Sequence, residues 1–357
     1  MNLEDNHIKW VFLYYVLSRK CYYILKHTAP NILNKSDLVS DIDNLMKSVF
    51  ENITGKAIKE ISWNQARLSI KVGGFGIGYL EDIAISSYYA NIVETMPHVL
   101  DTLPNAKYYM HDTENNDSSS IDMSKCSDMC KVFYDNINTI KTTFDNYINT
   151  PELKEKYFKQ KAKSKLQHFF TQLLQTPRLD HWVEECKNTS NPLTDQARCL
   201  SVQGDNAGSF LWSIPKTNKV TFTSKEFQIA TLIRLGEQLV NIPQQCDCNR
   251  KIILDHLGTH LLSCPKSNGT NMRHKVIQND FLALATYAGY ETTKEDPNLF
   301  TILDTNDHDR GDILIKEIPY NGFKSDASNT KNLLLDITVG LPTAKSYVKK
   351  AAKQKSY

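Results

Sequence analysis

Apolar residues recur at three- and four-residue intervals along most of the chain up to about Pro243, the spacing of helices with one buried face. Runs of strand length appear only after Gly289. The stretch KWVFLYYVLSRKCYYILKHT opens a helical region from about Ile8 to Thr95, broken near Pro30 and restarted by SDLVSDIDNLMKSVFENI with Ser36 or Asp37 as N-cap. Gly73, Gly74, Gly76 and Gly78 then interrupt the pattern. No strand clearly precedes these glycines and no Lys-Ser/Thr pair follows them, so they predict a tight backbone turn ahead of another helix rather than a phosphate loop.

Helical periodicity resumes in TPELKEKYFKQKAKSKLQHFFTQLL, where Thr150 is placed to cap, Pro151 suits the first helical position and Glu152 complements the dipole. Leu153, Tyr157, Leu166, Phe169, Phe170 and Leu173 form its expected buried face. DQARCLSVQGDNAGSFLWSIP and TSKEFQIATLIRLG predict a short helix, a turn and a second helix started by Ser224. A further helix from about Thr270 to Ala288, stopped by Gly289, sets Ile277, Phe281, Leu284, Ala285 and Ala288 on one side. ETTKE, LFTILD, DILIKEI and NLLLDITV read as strands, and a lysine-rich helix from about Pro342 closes the chain. The expected fold is therefore α-helical over the N-terminal two-thirds, with an α/β unit at the C-terminal end.

Composition bounds this picture without deciding it. At 357 residues, 41% apolar and 23% charged, the chain has the makings of two or three folded domains. HDTENNDSSS, within residues 101–128, is too polar to order itself and marks a flexible insertion. A net charge of +2 says little about partners, so the local runs matter more. Lys154, Lys156, Lys159, Lys161, Lys163 and Lys165 form one basic run, and Lys345, Lys349, Lys350, Lys353 and Lys355 another, each readable as a solvated helix face. The eight cysteines lack the framework of a small secreted domain, and MNLEDNHIKW carries acids where a signal peptide needs positive charge, so an intracellular, reducing setting is expected. The run Trp10 to Leu17 falls short of the roughly 20 residues a bilayer requires, and no membrane segment is expected.

CDCNRKIILDHLGTHLLSC, from Cys246 to Cys264, concentrates three cysteines and two histidines. Zinc takes four thiolate or imidazole ligands at tetrahedral corners. Cys246 and Cys248 can pinch the ion from a short turn, while His256, His260 and Cys264 recur every four residues. Gly258 weakens a helix between the histidines, which favours Cys246, Cys248, His260 and Cys264 as ligands of a closed, structural Zn2+ and leaves His256 beside the site or at the surface. The competing reading is a set of buried thiols on a core helix. Cys126 and Cys130, a lone C-x3-C, read as buried thiols.

Two aspartates follow. Asp312 opens one strand in RGDILI and Asp336 lies within the next, LLLDITV, with the hairpin pair Asn321-Gly322 between them. Pairing of those strands brings the carboxylates together at one end, where Mg2+ between them would orient a phosphodiester and activate water. The D-x-K arrangement common in such sites reads D-x-T here, with Thr338 in the lysine's place. Lys345, Lys349 and Lys353, four apart on the following helix, can supply the cation.

In this order the motifs resemble the C-terminal portion of reverse transcriptases of non-LTR retrotransposons that carry a restriction-like endonuclease. The thumb-like features are Trp63, Gln65, Ala66, Gly73, Gly74 and Gly76, and the connector-like ones are ARCLSVQGDNAGSFLWSIP and FTSKEFQIATLIRLG. The C-C-H-C knuckle matches at Cys246, Cys248, Asp255, Gly258, His260 and Cys264, followed by Arg273-His274. The nuclease signature, of the PD-(D/E)xK group, matches at Glu295, Asp312, Asp336, Lys353 and Tyr357, with Gly311 where the family has proline.

The resemblance implies a helical thumb-like region (1–100), a partly flexible insertion (101–149), a helical connector (150–242), a zinc knuckle (243–269) and a nuclease domain (270–357) expected to need a further strand beyond Tyr357. It implies a DNA or RNA partner, a nuclear location, Zn2+ and Mg2+ as metals, and no small-molecule substrate. Asp312, Asp336, Lys353 and Glu295 would be catalytic, while Arg273, His274, Lys345 and Lys349 would bind nucleic acid. The chain holds no Y-x-D-D, so DNA synthesis is not expected of it. The alternative within the same resemblance is a catalytically inactive, zinc-containing nucleic-acid-binding fragment.

Overall fold

A computed structural model describes residues 4–35, 37–102, 140–142, 144–161, 165–212, 222–239, 244–264, 266, 269–294, 312–319, 330–337 and 347–353. The described chain is mostly helical, with one small three-stranded antiparallel sheet. It divides into two units, Met1–Glu237 with Lys349–Tyr357, and Gln238–Val348.

The first unit is helical throughout its described length. Asp5 starts α1 (Asn6–Phe12) by accepting the Ile8 N–H, and a π-helical turn, Leu13–Leu17, leads without a break into α2 (Ser18–His27). After α3 (Pro30–Lys35), α4 (Leu38–Thr54) begins at Asp37 and ends at Gly55 in the left-handed conformation. α5 (Glu60–Arg67) and the long α6 (Leu80–Thr102) flank the glycine turn. A second set comprises α7 (Pro151–Lys161), α8 (Leu166–Lys187), α9 (Pro192–Ser201) and α10 (Ser224–Leu235). α10 begins at Ser224, as expected. Thr223 is the cap, in a reciprocal capping box with Glu226 that ties up two N–H groups at once.

Aromatic burial holds this unit together. Trp10, Phe50, Trp63, Phe75 and Phe227 are inaccessible or nearly so and pack in one cluster, while Phe144, Phe169 and Phe170 centre a second that also takes in Tyr157. Leu166, Phe169 and Phe170 are buried as the periodicity predicts, and Thr150 caps through its Oγ1 to the Leu153 N–H.

The four glycines do form a turn. Gly73 has φ 102°, and a Cβ on Gly74 would lie 2.0 Å from the Leu68 carbonyl oxygen, closer than any side chain allows. Two buried arginines fasten it. Arg234 donates to the carbonyls of Ile70, Gly74 and Ala207, and Arg198 donates to Gln65 Oε1 and to the Arg234 carbonyl. Gln65 in turn donates to the carbonyls of Gly73 and Arg234. Segments far apart in sequence are thus joined through buried backbone carbonyls. Burial and the neighbouring Arg198 lower Arg234 to about 10.

In the second unit, α11 (Thr259–Ser263) precedes α12 (Gly269–Tyr287), and the sheet runs β1 (Thr292–Lys294), β2 (Ile313–Pro319), β3 (Thr330–Leu335) in that order. β2 pairs with β3 from Ile313 opposite Leu335 to Pro319 opposite Thr330, with an irregularity between Ile315 and Ile318. Strands stand at ETTKE, at DILIKEI shifted by one residue, and at NLLLDITV with a start two residues earlier and an end at Leu335, whereas LFTILD and the Asn321-Gly322 turn lie outside the described residues, as do Cys126 and Cys130.

The face expected to bury α12 is not the one that is covered. Phe281 and Leu284 are 47% and 65% exposed, and the fully buried position is Gln278, whose side-chain amide donates to the Asp312 carbonyl. The helix meets the strands through polar groups that reach the end of β2, so its apolar stripe turns away from them. Of the lysine-rich helix expected from Pro342, the described residues 347–353 show one turn, α13 (Val348–Ala351), and Pro342 itself lies outside them. Among the described residues no helix is long and apolar enough to cross a membrane.

Candidate metal centre and carboxylate pair

A short antiparallel turn carries the first two cysteines. The Cys246 N–H donates to the Ile252 carbonyl, the Leu254 N–H to Gln244, and the Lys251 N–H to Cys248, with Lys251 at φ 47° closing the turn. Gly258 at φ 61° then redirects the chain into α11, so the helix starts after His256 rather than including it. Asp255 secures that start: its Oδ1 accepts the Leu257 and Thr259 N–H groups at 3.0 Å each, and its Oδ2 accepts the Thr259 hydroxyl. His260 sits in the first turn of α11 and Cys264 just past its end.

Cys246, Cys248, His260 and Cys264 converge, with one ligand atom from each lying within 4.8 Å of all the others. His256 is half-buried and not in this group. The Sγ atoms of Cys246 and Cys264 are 3.7 Å apart, and Cys248 Sγ is 3.3 Å from His260 Nε2. Two sulfurs on one tetrahedral ion with bonds near 2.3 Å stand about 3.8 Å apart, so the pocket has the right size. Burial raises the Cys248 thiol, but hydrogen bonds from His260, from the Arg250 and Ile252 N–H groups and from Cys246 outweigh it and bring the group to about 6. A thiol already inclined to ionise is a ready metal ligand. The four residues can hold a metal ion, and with four protein ligands they leave no open position for catalysis.

Asp312 and Asp336 also meet. Ile313 pairs with Leu335, which puts the two aspartates at the same end of the β2–β3 ladder, and their side chains are within hydrogen-bond range. Asp336 stands just past the end of β3 and is exposed, not inside a buried strand as its apolar neighbours predict. β3 ends at Leu335, and two residues on the Ile337 N–H donates to Asp312 Oδ2 at 2.5 Å. His274 Nε2 donates to the same oxygen at 2.9 Å. Burial pushes the Asp312 carboxyl up, yet the Ile337 N–H, His274 and Asp336 together hold it below the usual carboxylate range.

His274, expected to meet nucleic acid, therefore has its ring on an acid of the pair, and Arg273 beside it is half-buried. Lys349 and Lys353 are exposed, with Lys353 two residues past α13. Glu295, Lys345, Thr338, Gly311 and Tyr357 lie outside the described residues. Asp255 and Gln278 were missed as structural partners, although the D-x-L-G-T spacing and the four-residue step from His274 to Gln278 carry both signals.

No protein-family model, no curated protein and no solved structure matches this chain.

Proposed function

We propose that the chain is a retroelement-derived nucleic-acid-binding protein whose second unit combines a zinc-held knuckle with a Mg2+-dependent DNA endonuclease-like site, acting on DNA in the nucleus. The observation that carries this reading is the meeting of Asp312 and Asp336 at one end of a paired ladder. Two carboxylates in contact repel unless a proton or a cation lies between them, and that repulsion makes an effective cation site.

Zinc is the metal we assign to the knuckle, because three thiols and an imidazole suit it and exclude the oxygen-preferring ions. Asp312 and Asp336 would hold Mg2+, which when bound supplies charge neutralisation and an acidified water. The protein's part is orientation. His274 and the Ile337 N–H both hold Asp312 Oδ2, leaving its other oxygen and the exposed Asp336 carboxylate for the ion. Lys353 falls in the first unit and Glu295 lies outside the described residues, so neither is assigned to this pair.

Incubation of the full chain with Mg2+ and a labelled DNA duplex tests the assignment. Cleavage is expected, with loss of at least about 100-fold in rate for Asp336→Ala. Cleavage that survives Asp336→Ala removes it.

A second reading, a catalytically inactive binding fragment, is favoured by one observation: Asp312 is already satisfied by Ile337, His274 and Asp336 without any cation. Salt-sensitive DNA binding with no Mg2+-dependent cleavage selects it.

A further inference from the structure

Between Asn6 and His27 the chain contains no Asp or Glu, while Lys9, Arg19, Lys20 and Lys26 are basic and six aromatic residues are interleaved with them. The structure sorts these by face. Trp10 and Leu13 go into the core, but Phe12, Tyr15 and Tyr23 remain 41%, 54% and 73% exposed, and Arg19 is exposed between them. Their spacing of three and four residues makes one stripe along α1, the π turn and α2.

The π turn sits in the middle of the stripe. π-helical turns are rare and gather at functional sites. Here it sets Tyr14 and Tyr15 against each other edge-on and against Trp212, at ring distances of 5.1 Å for Tyr14 and 5.9 Å for Tyr15. The Arg19 guanidinium lies 5.2 Å from the Tyr14 ring centre and 5.0 Å from that of Tyr22, so a cation is held against the aromatic surface. Of the four tryptophans, Trp10, Trp63 and Trp182 are at most 2% exposed, whereas Trp212 is 39% exposed.

We propose that this stripe, with Tyr15, Tyr23 and Trp212 as its rings and Arg19 as its cation, is a stacking ledge for single-stranded nucleic acid. It rests on the nucleic-acid reading above and adds where, and in what form, the strand is taken. Rings exposed in a run free of acids suit a ligand that is flat, aromatic and anionic at once. Unpaired bases offer π faces while the phosphates meet Arg19 and Lys20. A duplex keeps its bases stacked on each other and offers no such faces. From Phe12 to Tyr23 the helix rises about 17 Å, enough for several bases.

The test uses the full chain and oligothymidylate, alone and as a duplex with oligoadenylate. The single strand is expected to bind with quenching of tryptophan emission, which the exposed Trp212 would report, and more tightly than the duplex. Tyr15→Ala and Tyr23→Ala each weaken it roughly tenfold. Arg19→Gln lowers the slope of affinity against salt by about one. All three side chains are exposed, so melting temperature stays at the parent value and serves as the control for folding. Unchanged affinity in a Tyr15→Ala/Tyr23→Ala double variant overturns the ledge and leaves the nucleic-acid reading standing. Absence of binding by the parent chain removes both. Self-association that the double variant abolishes, with nucleic-acid affinity intact, makes the stripe a protein interface and also overturns the proposal.

Discussion

The two units solve the problem of staying folded by opposite means. In the first, three tryptophans and several phenylalanines are sealed in clusters, and a buried arginine–glutamine network ties the glycine turn to α9 and α10. In the second, the cluster at the knuckle consists of three cysteines and Leu254, and among the described side chains of the sheet Ile313, Leu314 and Ile315 are the deeply buried ones. Small cores leave little surplus over chain entropy, and domains that have them are commonly held by metals or disulfides. Disulfides are not the answer, since these cysteines are free thiols. The comparison teaches that where the described residues bury little hydrocarbon, the chain instead brings together four side chains that could hold a cation.

Removing that cation is the strongest way to test the contrast. Structural zinc contributes about 10–16 kcal/mol of binding free energy in small domains, so chelation, or Cys264→Ser, should melt the second unit and spare the first. Hydrogen exchange should show protection lost between Gln244 and Cys264 and kept in α4 to α6. Uniform loss, or none, would falsify the division of labour.

The next largest effect lies in the first unit. Arg234→Ala leaves the carbonyls of Gly74 and Ala207 without their arginine donor and should cost about 3–5 kcal/mol by urea unfolding, with no change in metal content. A smaller and pH-dependent effect is expected at Glu237. Burial raises this carboxyl, but the Ser62 hydroxyl, the Lys59 N–H and Lys56 hold it below its ordinary value. A depressed pKa gives stability that is complete above the unfolded value of about 4.3 and is lost as pH falls through the folded one. Glu237→Gln should therefore cost the first unit about 1–3 kcal/mol at neutral pH and progressively less in acid. An equal cost at every pH from neutral to acid would show that shape, not charge, is what Glu237 contributes.

Legibility in the sequence also differs between the units. Helices of the first unit could be read because burial is periodic and the caps are local, so Thr150 and the glycine turn carry their own signals. What could not be read is the pairing of Gln65 with Arg198 and Arg234, which are 133 and 169 residues away. The knuckle was legible for the converse reason: its ligands fall within one short stretch, and Gly258 decides between the two histidines by ending one conformation and starting another. Asp312 and Asp336 were foreseeable as neighbours from the pairing of their strands, but His274 was not foreseeable as their partner. Nothing in a helix pattern says that its buried side will be the polar one, and the same blindness explains the mistaken face of α12.

The irregularity between Ile315 and Ile318 has a bearing on how freely this region can change. An uninterrupted antiparallel ladder transmits a one-residue slip along its whole length and reverses which side each residue faces. Here the extra residue in β2 acts as an expansion joint. Insertions or deletions on the Pro319–Thr330 side can be absorbed there, while the Ile313–Leu335 side keeps its register, so lineages could trim or lengthen the far end without disturbing the two acids.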